Sequence, residues 1–311
     1  MNEMIYKILF YKILSFFPQS LQNNIAYLIK RNFGQLKSPI KTYGLLTAED
    51  LIERIKQQKI NPKNKIFFEL GTGWVPYTSI QLSLLGAKKV YTQDIECLLK
   101  DEIVFELLSI ILSNLKKGIT SNYDRTKVEK IKKYTNLKNF SYRDLFKDLD
   151  IVYLSNSNPK DLDIKSESVD FYYSRSVLEH IPKNDLAFII SEGKRILNQD
   201  GIFISKIDLS DHFANNHNKL SQINFLKFNK IIWKFLSKNN FIYMNRLRIS
   251  DYKKQFENSR MIMIAEDNTV NIEVLSNLKE GKFKVHEDFL NYRFEDLATT
   301  SSWLMYKKIS S

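Results

Sequence analysis

The chain has 311 residues, with 47 Lys or Arg against 35 Asp or Glu and a net charge of +12. At 43% hydrophobic and 13% aromatic it can build a core, which excludes global disorder, and its one cysteine, Cys97, excludes a disulfide framework or a cysteine-ligated zinc site. The charge points to an anionic partner, but Lys supplies 37 of the 47 cations and Arg only 10, whereas dedicated nucleic-acid surfaces lean on Arg.

Residues 1–17, MNEMIYKILFYKILSFF, are apolar apart from Asn2, Glu3, Lys7, Lys12 and Ser15, and Pro18 closes the run. The stretch is too short to span a bilayer, and its lysines interrupt any signal-peptide core. Lys7, Lys12 and Ser15 fall on one side of a helical wheel, which predicts an amphipathic helix. Such a helix either packs on its own domain or a partner chain, or lies on a membrane with Lys at the headgroups. Residues 1–46 are read as a helical extension and 47–311 as the main domain.

From residue 47 strands and helices alternate. Thr47-Ala-Glu-Asp50 reads as a capping box opening a helix to about Gln58. Lys65-IFFEL-Gly71 is a buried strand, Pro76 to Leu85 a helix stopped by Gly86, and Val90 to Asp94 a second strand. A helical pattern covers 97–117, and 121–148 is polar and lysine-rich. Ile151–Leu154 and Val169–Tyr173 are the third and fourth strands. A helix follows from Lys183 to Leu197, then a strand over Gly201–Ile207. Helical segments near 220–238 and 250–258 precede late strands at Met261–Ala265 and Ser302–Tyr306. The alternation predicts an α/β fold with a parallel sheet and helices on both faces.

The stretch Phe67-Phe-Glu-Leu-Gly-Thr-Gly-Trp74 runs a strand through a tight turn into a helix. Gly71 and Gly73 allow positive φ and close backbone approach to a ligand, and the helix N-terminus adds free N–H groups. Asp94 ends the next strand, 23 positions after Gly71, where an open sheet places a carboxylate for two ribose hydroxyls. A dinucleotide fingerprint wants a glycine where Pro76 stands, and no Gly-Lys-Ser/Thr completes a P-loop. Glu69, two positions before Gly71, suits the ammonium of a phosphate-free cofactor, S-adenosylmethionine. The competing reading of the two glycines is a plain strand–helix turn.

Ser168-Val-Asp-Phe-Tyr-Tyr-Ser-Arg-Ser-Val-Leu-Glu-His-Ile-Pro182 resembles the fourth-strand motif of class I S-adenosylmethionine-dependent methyltransferases, of the type 11 group. Gly193-Lys-Arg-Ile-Leu-Asn-Gln-Asp-Gly-Ile-Phe203 resembles their approach to the fifth strand. The resemblance covers about 65–308. It implies a Rossmann-like seven-stranded, mostly parallel sheet whose last strand is antiparallel, with 97–148 as an insertion. It also implies S-adenosyl-L-methionine held by Glu69, Gly71, Gly73 and Asp94, with Asn158 where the family has an Asp beside adenine. Asn158 and Val75, which replaces the third glycine, depart from the pattern. Gly71-Thr-Gly-Trp-Val-Pro76 with Lys206-Ile-Asp-Leu-Ser-Asp-His-Phe213 is similar to methyltransferases of bacterial surface polysaccharide and small molecules.

Methyl transfer to a hydroxyl needs a base. His180 after the fourth strand, and Asp208 or His212 after the fifth, are the candidates; turn packing and turn capping are the competing readings. Arg175 is read as a substrate-anion contact, against an ion pair with Glu179 one turn on. Arg246 is read the same way, against a solvated face. Asp208, His212 and His217 fit no tight metal pattern, so no metal is assigned. The segment 220–238 is read as a lid helix or a face packed on the sheet. The expected protein is therefore a cytoplasmic methyltransferase acting on an O or N atom of a small-molecule or glycan/lipid-linked acceptor, at the inner face of the membrane if residues 1–17 bind there. The alternatives are an RNA methyltransferase, for which no recognition module is visible, and a non-catalytic scaffold or membrane-associated partner protein.

Overall fold

A computed structural model describes residues 10, 12–37, 47–118, 122–214, 220–237 and 243–308. Among them seven strands form one sheet in the order β3-β2-β1-β4-β5-β7-β6. The strands are β1 (Ile66–Leu70), β2 (Lys89–Asp94), β3 (Ile151–Ser155), β4 (Val169–Arg175), β5 (Leu197–Asp208), β6 (Met261–Val270) and β7 (Thr299–Lys308). β1 pairs parallel with β2, and β2 with β3, while β7 runs antiparallel to both β5 and β6. This is the expected sheet with its last strand reversed. The chain divides into two compact units.

One unit comprises the described residues of Asn23–Tyr173 with Arg195–Gly201. β1 is apolar because it is covered: Phe67 and Phe68 are fully buried, and their rings pack on Phe171 and Tyr172 of β4 at 4.8 and 4.6 Å. Asp170 ties the start of β4 to β1, accepting from the Ile66 N–H at 2.8 Å and from Lys65 Nζ at 3.1 Å. The helices here are α1 (Gln19–Phe33, from Asn23 on), α2 (Thr47–Gln57), α3 (Tyr77–Leu84), α4 (Asp101–Lys116), α5 (Arg125–Thr135) and α6 (Tyr142–Asp148). Thr47 is itself helical in α2 and so is not its cap. The lysine-rich stretch forms α5 and α6, whose caps Asp124 and Ser141 accept from the N–H groups of Lys127 and Asp144. Ile131 and Tyr134 supply the buried stripe of α5, so few apolar residues at helical spacing are enough.

In α1, Asn23, Tyr27 and Arg31 stand four residues apart and reach Glu96, Glu102 and Glu106. Spacing of four keeps them on one helix face. Tyr27 also stacks on Trp74 of the glycine turn at 5.8 Å.

The other unit comprises the described residues up to Gln22, Ser174–Lys194 and from Ile202 on. It holds α7 (Lys183–Ile196, up to Lys194), most of β5, α8 (Lys230–Ser237), α9 (Ile249–Asn258), β6, α10 (Ile272–Lys279), α11 (Phe294–Ala298) and β7. Phe203, Phe256 and Tyr306 stack in series at 5.0 and 4.2 Å. The region read as one helix over 220–238 is a 3-10 turn, Asn224–Lys227, followed by α8. Phe225, Leu226 and Trp233 from it join a side core with Met244, Leu278 and Phe289. α9 starts at Ile249, one residue before the predicted helix, and Asp251 in its first turn accepts the Arg248 N–H at 3.0 Å. β6 and β7 are longer than the sequence predicts, and α10 and α11 between them were not foreseen. β6 is an edge strand with an exposed face, which dilutes its apolar signal.

Candidate cofactor site and catalytic cluster

β1 ends at Leu70, and the backbone turns through Gly71 (φ 83°) and Gly73 (φ 67°). Both values favour glycine. The Gly71 and Thr72 N–H groups bond to the Gln93 carbonyl at 2.9 and 3.0 Å, fixing the turn on the end of β2. A Cβ on Gly73 would meet nothing within 4 Å, so this face of the turn borders open space. Val75 keeps a negative φ, which is why the turn tolerates a side chain where the family has its third glycine.

Glu69 lies buried at the base of the turn, its Oε2 accepting from Thr92 Oγ1 at 2.8 Å. Burial pushes its carboxyl up to about 7, against the hydroxyls of Thr92, Thr78 and Ser79. Thr72 Oγ1 lies 2.6 Å from Thr92 Oγ1 and extends this chain of hydroxyls. Asp94 at the end of β2 accepts the Gly73 N–H at 2.8 Å and the Glu96 N–H at 3.2 Å. Burial raises its carboxyl, with the N–H bonds opposing. The structure thus brings Glu69, Gly71, Gly73 and Asp94 into one constellation. Asn158 lies in the exposed segment after β3, its Oδ1 accepting the Lys160 N–H at 3.1 Å. It is linked to Asp94 only through its neighbour: the Ser157 N–H bonds to the Asp94 carbonyl at 3.3 Å.

The second constellation lies in the other unit. After β4 the chain passes through Ser176 (φ 51°) into a 3-10 turn, Leu178–His180. His180 is exposed, with Nδ1 2.7 Å from the Tyr243 carbonyl oxygen. After β5, Asp208 Oδ2 lies 3.2 Å from His212 Nε2, while its Oδ1 accepts from Ser210 N–H and Oγ at 2.9 and 2.6 Å. Burial pushes the Asp208 carboxyl up, but the bonds from His212 and Ser210 outweigh it and hold it below the ordinary value. The His180 and His212 rings stand 5.2 Å apart. All three catalytic candidates therefore meet in one cluster.

Sequence reading missed a fourth member, Glu179, weighed there only as a partner for Arg175. It is 2% exposed, its Oε1 accepts the Asp208 N–H at 3.3 Å, and burial pushes its carboxyl well up. Its apolar neighbours Val177, Leu178 and Ile181 signal burial, but they read as packing and so hid the carboxyl among them. Arg175 is half-buried. Arg246 is buried, donates to the carbonyls of Phe225 and Phe228 at 3.0 and 2.5 Å, and stacks on Trp233 and Phe289. It also lines a cavity of about 550 Å³ with Lys183, Lys230, Lys234 and Asp288. His217 lies outside the described residues, so the Asp208–His212–His217 combination does too.

A family model described as a methyltransferase domain matches residues 123–205. Similar solved structures include an S-adenosylmethionine-dependent methyltransferase from Methanosarcina mazei (10% identity, 83% of this chain and 98% of that one, TM-score 0.46). Another is a magnesium protoporphyrin IX methyltransferase from Synechocystis (13%, 92% and 95%, 0.47). A third is a phosphoethanolamine N-methyltransferase from Haemonchus contortus (12%, 93% and 58%, 0.48). No curated protein sequence matches the chain. The family match covers 83 of the 311 residues, and the seven-stranded sheet with its reversed last strand is the sheet that the resemblance to class I S-adenosylmethionine-dependent methyltransferases implies.

Proposed function

We propose that the chain moves the methyl group of S-adenosylmethionine to an oxygen or nitrogen of a small-molecule or glycan/lipid-linked acceptor. The observation that carries this reading is the glycine turn. It offers open backbone at Gly73, a ribose-type acid at Asp94 and a buried acid at Glu69, with no phosphate-binding signature. In the reaction the acceptor's lone pair attacks the methyl carbon in line with the C–S bond. That bond breaks, the sulfonium becomes a neutral thioether, and the acceptor's proton leaves to a base. Holding the two atoms aligned at about 3 Å is worth ~7–11 kcal/mol. Asp208, His180 and His212 are the groups assigned to orient the acceptor and take its proton. Arg175 and the lysine-rich cavity are suited to acidic parts of the acceptor.

The test is release of the demethylated cofactor when the protein is given S-adenosylmethionine with nucleotide sugars or lipid-linked glycans. Asp208→Asn is expected to lower kcat about 10²–10⁴-fold on an accepted substrate. Turnover with none of these acceptors, or full activity in that variant, would count against the assignment.

We further propose that this reaction takes place at the cytoplasmic membrane face. Among the described residues no helix is long and apolar enough to cross a membrane. Ile13 and Phe16 are 62% and 88% exposed, and Ile231 and Phe235 of α8 are 80% and 67% exposed. Lys12 Nζ sits 3.0 Å over the Phe235 ring, joining the two segments. With Lys230 and Lys234 beside them, these apolar groups suit an anionic lipid surface.

A further inference from the structure

We infer that Glu179, His180 and His212 form a binding site for one divalent transition-metal ion. Two observations, independent of each other, point to a ligand. The first is the geometry: one donor atom from each of the three residues lies within 4.8 Å of the other two. Tetrahedral ligands about 2.1 Å from a metal stand roughly 3.4 Å apart, so small side-chain rotations close the set. The second is Glu179 Oε2, a carboxylate oxygen of a 2%-exposed residue with no hydrogen-bond partner. A buried carboxylate oxygen in that condition is costly unless a proton or a cation meets it.

The surroundings of the two imidazoles fit the same conclusion. A carbonyl oxygen can only accept, so the 2.7 Å contact to the Tyr243 oxygen puts the proton of His180 on Nδ1 and leaves a lone pair on Nε2. Asp208 holds the His212 ring at 3.2 Å in the same manner. Metal-binding histidines regularly use their other nitrogen this way, on a backbone carbonyl or a carboxylate. Asp208 and the Tyr243 carbonyl are therefore positioning groups and not ligands. Two imidazoles and one carboxylate suit Zn²⁺, Mn²⁺, Fe²⁺ or Co²⁺ and leave coordination positions open. Within the proposed reaction such an ion would hold an acceptor oxygen and lower its pKa, so that with the metal bound His180 and His212 would orient the acceptor through the ion and Asp208 would be left to take the proton. That role rests on the methyltransferase reading; the binding itself does not.

The test uses the full chain, stripped with a chelator and titrated with Zn²⁺ or Mn²⁺ alone. One ion per chain is expected, with Co²⁺ giving visible bands of nitrogen–oxygen ligation. Glu179→Gln and His212→Ala should each weaken binding at least about tenfold. His180→Ala should do the same, and it replaces an exposed side chain, so loss of fold does not confuse its result. Absence of one-to-one binding, or affinity unchanged in all three variants, would overturn the site. S-adenosylmethionine binding measured on the same samples separates the two readings. Cofactor binding without metal binding overturns only the metal site, and metal binding without cofactor binding overturns only the methyltransferase reading.

Discussion

Two buried charged residues do different work. Glu69 carries a carboxyl raised by burial to about 7. The folded chain therefore holds this proton more tightly than the unfolded chain. The stabilisation is complete below about pH 4.5 and is lost as pH rises through about 7, a change of about 3 kcal/mol. Cofactor-free Glu69→Gln should match the native chain in urea unfolding at acid pH and exceed its midpoint at pH 8; equal pH slopes would contradict this. Arg248 is fully buried, and its guanidinium donates to the carbonyls of Leu209 at 2.9 Å, Leu297 at 3.2 Å and Thr299. Arg248→Ala would leave a group of buried acceptors without donors, at about 1–3 kcal/mol each. Thermal unfolding should show a loss of at least about 3 kcal/mol, and a loss under 1 kcal/mol would mean that the site rehydrates. In the sequence Arg246 reads as a substrate-anion contact or as part of a solvated face, and Arg248 beside it in Tyr-Met-Asn-Arg-Leu-Arg looks the same. Only the carbonyls brought by the residue after β5, by α11 and β7, and by the 3-10 turn and the residue after it reveal their structural role, and those contacts are distant in sequence.

Among the elements, legibility followed how strongly each one's burial is written in its own residues. β1, β2, β4 and the glycine turn were readable because short apolar runs end in Gly71 or Asp94, and the turn's φ values demand glycine. The α5–α6 segment was not, because its lysines hide the stripe of Ile131 and Tyr134. Asn158 falls in the expected loop after β3, where its side-chain oxygen accepts the Lys160 N–H. The Glu179 turn holds a chemistry-bearing residue obscured because an apolar neighbourhood reads as packing. On the surface, Phe16 and Phe235 are exposed side chains of the two segments proposed to face a membrane. Each inserted Phe contributes about 1.5–3 kcal/mol, and each nearby Lys about 1 kcal/mol on an anionic bilayer. In sedimentation, the native chain should pellet with phosphatidylglycerol vesicles and less so at high salt, and a Phe16→Ser/Phe235→Ser double variant should stay in solution. Equal pelleting of the variant would contradict the surface.

Over the whole molecule, the +12 charge says less about nucleic acid than about where the lysines sit. They cover α5, the cavity lining and α8, while the side chains at the glycine turn are the acids Glu69 and Asp94. The central claim of the proposed function is that the glycine turn holds S-adenosylmethionine. Isothermal titration calorimetry of the full chain with S-adenosylmethionine and its demethylated product tests it most directly. One site per chain for both is the expected result, with Asp94→Ala weakening each at least about tenfold, or 1.4 kcal/mol, while the chain stays folded. No binding by the native chain, or undiminished affinity in Asp94→Ala, would contradict it.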